Sequence, residues 1–427
     1  MEPVWSNWAG NASATAARVV HPASTDEVAE AVRAAAADGQ RVKAVGAGHS
    51  FTPAALTSGV RLELDRLADV VSVDGSLVTV QAGMSLRRLN AVLDSHGLAM
   101  PNLGDIDVQT ISGALATGTH GTGAGFGCLS TFVAGLTLVS GTGETIRCSP
   151  GSDTFSAAQV NVGALGVVTE VTLQCVPAFM LRADERPMRL DAVLADFDEL
   201  AATNEHFEFY WFPYTERALT KRNNRVAEGQ PLSRLRGWLD DEFLSNSVFG
   251  AVCRLGRAAP RLVPAISALS ARALSPRVYT ARSHQVFCSP RRVRFVELEY
   301  GLPREALPEA FAGLRRVLER LPLRVVFPVE VRVTAADDIW LSHGYGRDSA
   351  YIAIHQYAGM RYEEYFREFE RVCVPLGGRP HWGKLHYRDA SSLAGAYPRF
   401  ADFLAVRDKL DPARTFANGY TTRVFGV

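Results

Sequence analysis

One nearly uncharged stretch constrains this chain more than any other feature. From Asn102 to Gly123 the sequence NLGDIDVQTISGALATGTHGTG packs five glycines, four threonines, a serine and a histidine into a single segment. A structural connector rarely needs so many small hydroxyl side chains. A phosphate or a pyrimidine-like ring does need donors that take little room. A second glycine-rich piece, Val45-Gly46-Ala47-Gly48-His49-Ser50-Phe51, follows a short strand. Gly46 and Gly48 around Ala47 allow a tight turn with consecutive amide N–H groups exposed, a nest that suits a diphosphate. Taken alone the loop reads first as a plain tight turn. A third piece, Gly163-Ala164-Leu165-Gly166-Val167-Val168-Thr169, sets glycines directly before a strand, where a flat ring can approach the backbone. No GxGxxG opens a helix, so these loops are not the fingerprint of a Rossmann unit and a nicotinamide-dependent dehydrogenase is disfavoured.

Composition narrows the reading. The chain has 427 residues, 47% hydrophobic and 21% charged, enough for a large core. Single cores seldom grow past roughly 250–300 residues, so two domains are expected. Lys+Arg and Asp+Glu balance at 45 each, which removes a basic nucleic-acid clamp and an acidic tail. No apolar run approaches the roughly 18 residues of a membrane helix, and the opening residues lack the pattern of a signal peptide. The six cysteines are dispersed, with no CxxC and no histidine at zinc spacing, so neither a metal site nor a disulfide framework is indicated. The expectation is a reduced cytoplasmic protein with no nucleic-acid partner and no membrane segment, its oligomeric state undetermined.

Element signals alternate along the chain. DEVAEAVRAAAADGQ predicts a helix with Ser24 or Thr25 as N-cap and Gly39 as its stop, and MSLRRLNAVLDSHGLA a second, capped by Ser85 and stopped at Gly97. VSVDGSLVTV predicts a hairpin in which Asp74-Gly75 supplies the two positive-φ residues of a type I′ turn. Past Pro177 glycine thins and arginine and aromatics rise. LPEAFAGLRRVLERL and YEEYFREFERVC have helical periodicity, and LRVVFPVEVRVTA and SAYIAIHQYAG read as strands. The fold class expected is α+β: a glycine-rich unit over residues 1–178, a sheet backed by helices over 179–374, and a segment, 375–427, that returns to the first unit.

The three glycine pieces, in this order, resemble the FAD-binding domain of vanillyl-alcohol-oxidase-type flavoproteins, most closely the sugar-1,4-lactone oxidases and dehydrogenases and the related alditol oxidases. The likeness continues in Asn204–Tyr210, in Glu330-Val331-Arg332 and in Arg379-Pro380-His381-Trp382-Gly383-Lys384. It covers nearly the whole chain. It implies a two-domain flavoprotein: a bipartite FAD-binding domain and a substrate (cap) domain of sheet plus helices. It also implies FAD carried covalently, 8α-linked through His49. Gly46, Ala47, Gly48, Ser50 and Phe51 would contact the diphosphate, and Thr110, Ser112, Gly113, Thr117, Thr119, His120 and Gly121 the phosphate and ring. Val168 would meet the adenine end through its backbone, and His381 would touch the flavin from the tail.

Substrate residues are expected from the second unit. Glu330 and Arg332 lie two apart on a strand and emerge on one face. The resemblance makes that pair a grip on vicinal hydroxyls, and the alternative is a solvated cross-strand salt bridge. His355 and Lys384 would complete the pocket, with desolvation lowering the lysine pKa to make it a base, or the lysine acting as a cation beside a developing alkoxide. The chemistry implied is hydride transfer from an aldono-1,4-lactone (gulono-, galactono- or arabinono-) to flavin, giving a 2-keto or enediol product, with reoxidation by O2, releasing hydrogen peroxide, or by another acceptor. Gly118 is expected to leave room for oxygen. The alternatives are oxidation of an alditol, tailoring of a secondary-metabolite sugar, and a flavin-binding module without turnover.

Overall fold

The computed structural model describes residues 4–229 and 246–427. Local chemistry sets its helices where the sequence places them. Ser24 caps the helix Thr25–Ala37 by accepting the Glu27 amide, which satisfies an otherwise orphaned N–H, and Val28, Ala31, Val32 and Ala35 bury its inner face. Ser85 does the same for Leu86–Ser95, where Leu86, Leu89 and Leu93 are buried. The hairpin forms with its turn one residue later than expected. Asp74 pairs with Leu77, so the loop is Gly75-Ser76 and only Gly75 has positive φ, at 57°. That is the φ pattern of a type II′ turn rather than I′, because Asp74 stays extended within the ladder.

Three sheets carry the architecture. A parallel sheet sets strands Arg18–Val20 and Val42–Val45 on either side of Val60–Glu63. A five-stranded antiparallel sheet runs Thr145–Cys148, Val133–Val139, Val167–Gln174, Leu77–Gln81, Val70–Asp74. The third has eight strands, ordered Arg277–Arg282, Met180–Arg189, Arg217–Val226, His206–Trp211, Val329–Thr334, Ser349–Tyr357, Phe295–Pro303, Arg379–Pro380. Helices Leu307–Arg320 and Glu363–Cys373 cover it with their apolar faces, burying Phe311, Leu314, Phe366 and Phe369. The strand expected over LRVVFPVEVRVTA begins only at Val329, directly after Pro328, whose missing N–H cannot join a ladder.

Two apolar cores follow. One gathers residues between Val28 and Cys175 with Trp382, Phe400, Phe403 and Phe425 from the tail, and takes in Ile339–Leu341. The other lies between the eight-stranded sheet and its helices, and Phe51 is its one member from the glycine-rich unit. Backbone bonds tie the tail down: the Val42 amide donates to Thr415 O at 2.8 Å and the Gly141 amide to Leu410 O at 2.9 Å. Segments also cross between the units. The Gly123 amide donates to Val333 O at 2.8 Å, and the Phe51 amide to Gly383 O at 2.7 Å. The cavities described below lie along these crossings.

The tail is therefore structural. Phe403 is fully buried in helix Phe400–Leu410 and packs on Phe425, with ring centroids 5.0 Å apart. Phe403→Ala should lower unfolding free energy by about 3–5 kcal/mol in urea titration. A loss below about 1 kcal/mol would mean that the tail folds independently of the first core.

Candidate active site

Two adjoining cavities share His49, Ser50, Gln109 and Thr117 in their walls. The smaller, about 120 Å³, is built by the Gly46–Ser50 loop, by Thr110 and Gly113 at the start of helix Ile111–Ala116, and by Gly163, Gly166 and Val167. Its walls hold one cation, Lys43, and no carboxylate. The Thr110 side chain explains Gly46: a Cβ there would stand 2.2 Å from Thr110 Oγ1. A cradle of amides and small hydroxyls without negative charge fits the diphosphate of FAD. Lys43 is buried with its ammonium 3.1 Å from Gly163 O, and burial outweighs the pull of Asp411 to bring its pKa down to about 7.

The larger cavity, about 170 Å³, lies between that loop and the eight-stranded sheet. Period-two alternation puts Glu208 and Tyr210, Glu297 and Glu299, and Glu330 and Arg332 on one face of three strands. Arg332 is the centre of one group. Its guanidinium meets Glu330 at 2.5 Å, Glu208 at 3.0 Å, and Asp105 from the glycine-rich segment. The three carboxylates lie within 4.8 Å of one another, and a guanidinium stands among them where a metal ion would otherwise fit. Tyr210 donates to Glu330 at 2.6 Å, and Arg291 pairs with Asp105 at 2.8 Å.

The charges in this group are unequal. Burial raises the Glu330 pKa, and the neighbouring Asp105 and Glu208 add to it against the pull of Arg332, leaving it at about 7. Asp105 is half-buried, and Arg332 and Arg291 overcome the burial that opposes its charge and hold it well below the usual carboxylate range.

Lys384 organises a second group. It meets Glu297 at 2.5 Å, while His355 Nε2 is 3.5 Å from the other Glu297 oxygen. Burial opposes the Glu297 charge, but Lys384 and His355 prevail and set its pKa at about 2. The Lys384 pKa is raised: burial alone would lower it, and Glu297 and Glu299 more than compensate. The expected lowering of this pKa is thereby corrected, and Lys384 is a cation. His120 faces acceptors on both ring nitrogens, Gly121 O at 2.8 Å and Glu299 at 3.2 Å. His381 accepts the Gly383 amide at 3.0 Å. His49 stacks on Trp8 with centroids 5.3 Å apart, and burial, helped by Lys384, lowers its pKa to about 4.

Most expected residues meet in these walls. Gly46, Ala47, Gly48, His49, Ser50, Thr110, Gly113 and Thr117 line the smaller cavity. Phe51, Thr119, His120, His381, Glu330, Arg332, His355 and Lys384 line the larger. Ser112, Gly121 and Val168 line neither. The Ser112 hydroxyl turns back to donate to Ala82 O at 2.8 Å, and a Cβ on Gly121 would strike Leu103 O. Val168 is paired inside its sheet with Leu138, and its neighbour Val167 reaches the cavity instead. Gly118 also faces away: a Cβ there would lie 2.9 Å from the buried His343, so it opens no space for oxygen in either cavity. Asp105, Tyr210, Arg291, Glu297 and Glu299 received no role from the sequence. Alternating carboxylates in VELEY, a strand otherwise apolar, were the available signal for two of them.

Comparison with known proteins agrees with this geometry. The FAD binding domain family matches residues 16–149, and the D-arabinono-1,4-lactone oxidase family matches residues 171–424. The chain is 44% identical to L-gulono-1,4-lactone dehydrogenase of Mycobacterium tuberculosis over 100% of both chains. It is 35% identical to L-gulonolactone oxidase of Bos taurus over 99% of this chain and 98% of that one. Identity to the alditol oxidase of a Streptomyces species is 31% over 98% of each. Among solved structures, cholesterol oxidase from B. sterolicum superposes with a TM-score of 0.86 at 18% identity, covering 100% of this chain and 97% of that chain, which is a likeness of fold alone.

The Arg332 group makes a stability prediction. Arg332→Met would leave the buried Glu330 and Glu208 and the half-buried Asp105 without their shared cation, and should cost about 3–5 kcal/mol of unfolding free energy at pH 7.5. The variant should regain part of that loss at lower pH as the carboxylates take protons. A pH-independent loss would argue against the charge network as its source.

Proposed function

Because this chain belongs to the D-arabinono-1,4-lactone oxidase family of FAD-dependent oxidoreductases, we propose that it oxidises an aldono-1,4-lactone at a ring carbinol, with the cofactor spanning the two cavities. The observation that carries this reading is the pair of charged groups facing one cavity beside the His49 loop: Glu330 with Arg332, and Lys384 with Glu297. FAD, when bound, supplies the hydride acceptor, and the protein supplies placement and electrostatics. The Gly46–Ser50 loop, Thr110 and Gly113 would hold its diphosphate, with Lys43 as the cation of that cavity.

Each charged residue then has a distinct task. Arg332 presents N–H donors to the hydroxyls of the lactone and fixes their direction. Glu330, with its pKa raised to about 7, accepts the proton of the hydroxyl being oxidised. Lys384 faces the oxygen on which negative charge develops and steadies it. A lactone is favoured over an open-chain polyol because the relatives of higher identity are lactone enzymes. His49 is neutral near pH 7, borders both cavities and is held by Trp8, so it is the nucleophile we assign to the covalent 8α link.

Two measurements test these assignments. Acid precipitation of the purified protein should give a yellow pellet, and His49→Ala a colourless pellet under a yellow supernatant; a yellow His49→Ala pellet would remove the link from this residue. Since Glu330 acts as base only when ionised, kcat/KM for a gulono- or arabinono-lactone should fall about tenfold per pH unit below about 7. Glu330→Gln should lower the rate by about 10²–10⁴-fold and abolish that acid limb. If the limb survives in Glu330→Gln, another group is the base.

A further inference from the structure

The neutrality of the whole chain hides one strongly one-sided segment. Between Glu242 and Glu297 the sequence has nine arginines and no aspartate, glutamate or lysine. Arg254, Arg257, Arg261, Arg272 and Arg294 are exposed, and none of these five has a carboxylate at ion-pair distance among the described residues. Large apolar side chains are exposed in the same segment. Val248, Leu255, Leu262 and Leu269 are 39%, 50%, 49% and 70% exposed and recur every seven residues, within or at the ends of helices Phe249–Ala258 and Val263–Ala273. Seven residues are close to two helical turns, so Val248 with Leu255, and Leu262 with Leu269, each follow one stripe of their helix.

We propose that helices Phe249–Ala258 and Val263–Ala273 form a face that docks on an anionic lipid bilayer. The two kinds of exposed group decide between occupants. Nucleic acid would use the arginines but has no place for a row of exposed leucines. A second copy of the same face would set arginine against arginine with no carboxylate between them. An anionic bilayer takes both, the guanidinium groups at lipid phosphates and the leucines in the acyl boundary. The helices have 10 and 11 residues, short of the roughly 20 needed to span, and no helix among the described residues is long and apolar enough to cross a membrane. They therefore lie along the surface of the bilayer.

The segment also reaches the site. The same segment gives Asn246, Phe249, Arg291 and Val293 to the wall of the larger cavity, so docking would bring that cavity next to the membrane.

The test is co-sedimentation of the full-length, flavin-loaded protein with vesicles of phosphatidylcholine, with or without roughly one third phosphatidylglycerol. Binding to the anionic vesicles should exceed binding to the neutral ones by about tenfold in about 0.1 M NaCl and fall by a similar factor in about 0.5 M. Arg254→Glu/Arg257→Glu/Arg261→Glu and, separately, Leu262→Gln/Leu269→Gln should each reduce it about tenfold, with circular dichroism and flavin spectrum unchanged. Equal binding to both vesicle types, or none, would overturn the proposal without use of any variant. So would a dimer in sedimentation velocity that Leu262→Gln/Leu269→Gln dissolves, or salt-sensitive binding to duplex DNA that this variant leaves intact.

Discussion

Everything in the larger cavity depends on one buried cation. Arg332 draws together Glu330 on its own strand, Glu208 on the neighbouring strand and Asp105 on the glycine-rich segment. Three carboxylates cannot be buried side by side unless something positive stands between them. A guanidinium suits the place because it is always charged and its donors fork in one plane, so it can meet several acceptors at once. The contact also joins two regions: Asp105 belongs to the glycine-rich stretch whose Gln109, Thr110 and Gly113 line the smaller cavity, while Glu208 and Glu330 belong to the sheet. The same salt bridges that close the wall therefore set the distance from cradle to sheet.

The arithmetic of that cluster explains why its carboxylates differ. Arg332 is shared three ways, and Asp105 has Arg291 as well, so its charge is fully matched. Glu330 is left with a fraction of one cation, two like charges nearby and full burial, which is why its pKa rises towards neutrality. Lys384 shows the opposite outcome. Burial was expected to strip its proton, but Glu297 at 2.5 Å makes the ammonium the stable form. Burial alone predicts neither sign. The local count of partners does, and it separates a group able to exchange a proton from one that holds a fixed charge.

How much of this was legible in the sequence follows from the range of each interaction. Helix caps at Ser24 and Ser85, the period-two placement of Glu330 and Arg332, and the glycine loop around His49 are local, and the structure holds all of them. The partners of Arg332 are not local: Glu208 is 124 residues away and Asp105 227. No spacing rule connects them, and the likeness to a family directed attention to motifs rather than to what stands opposite. Ser112, Gly121 and Val168 show the reverse error. They sit inside the right motifs, but a helix start and a strand present only some of their positions to a cavity. Ser112 and Val168 face back into the first core, and Gly121 closes on Asn102 and Leu103.

The two cavities recognise charge by different means, and the difference follows from what each must hold. The smaller has amides, hydroxyls and one lysine and excludes carboxylates, which suits a permanent polyanion that must be bound and never transformed. Glycine is needed at position 46 because the Thr110 side chain lies against it, 2.2 Å from where a Cβ would stand. The larger cavity has compensated pairs of full charges, which suits the neutral lactone and the proton transfer proposed for it. The arginines of the chain divide into two populations. Arginines 291 and 332 are consumed by carboxylates inside, while those on helices Phe249–Ala258 and Val263–Ala273 have no such partner among the described residues. Net charge is zero because 45 acidic residues offset 45 basic ones over the whole chain, and that sum conceals both populations.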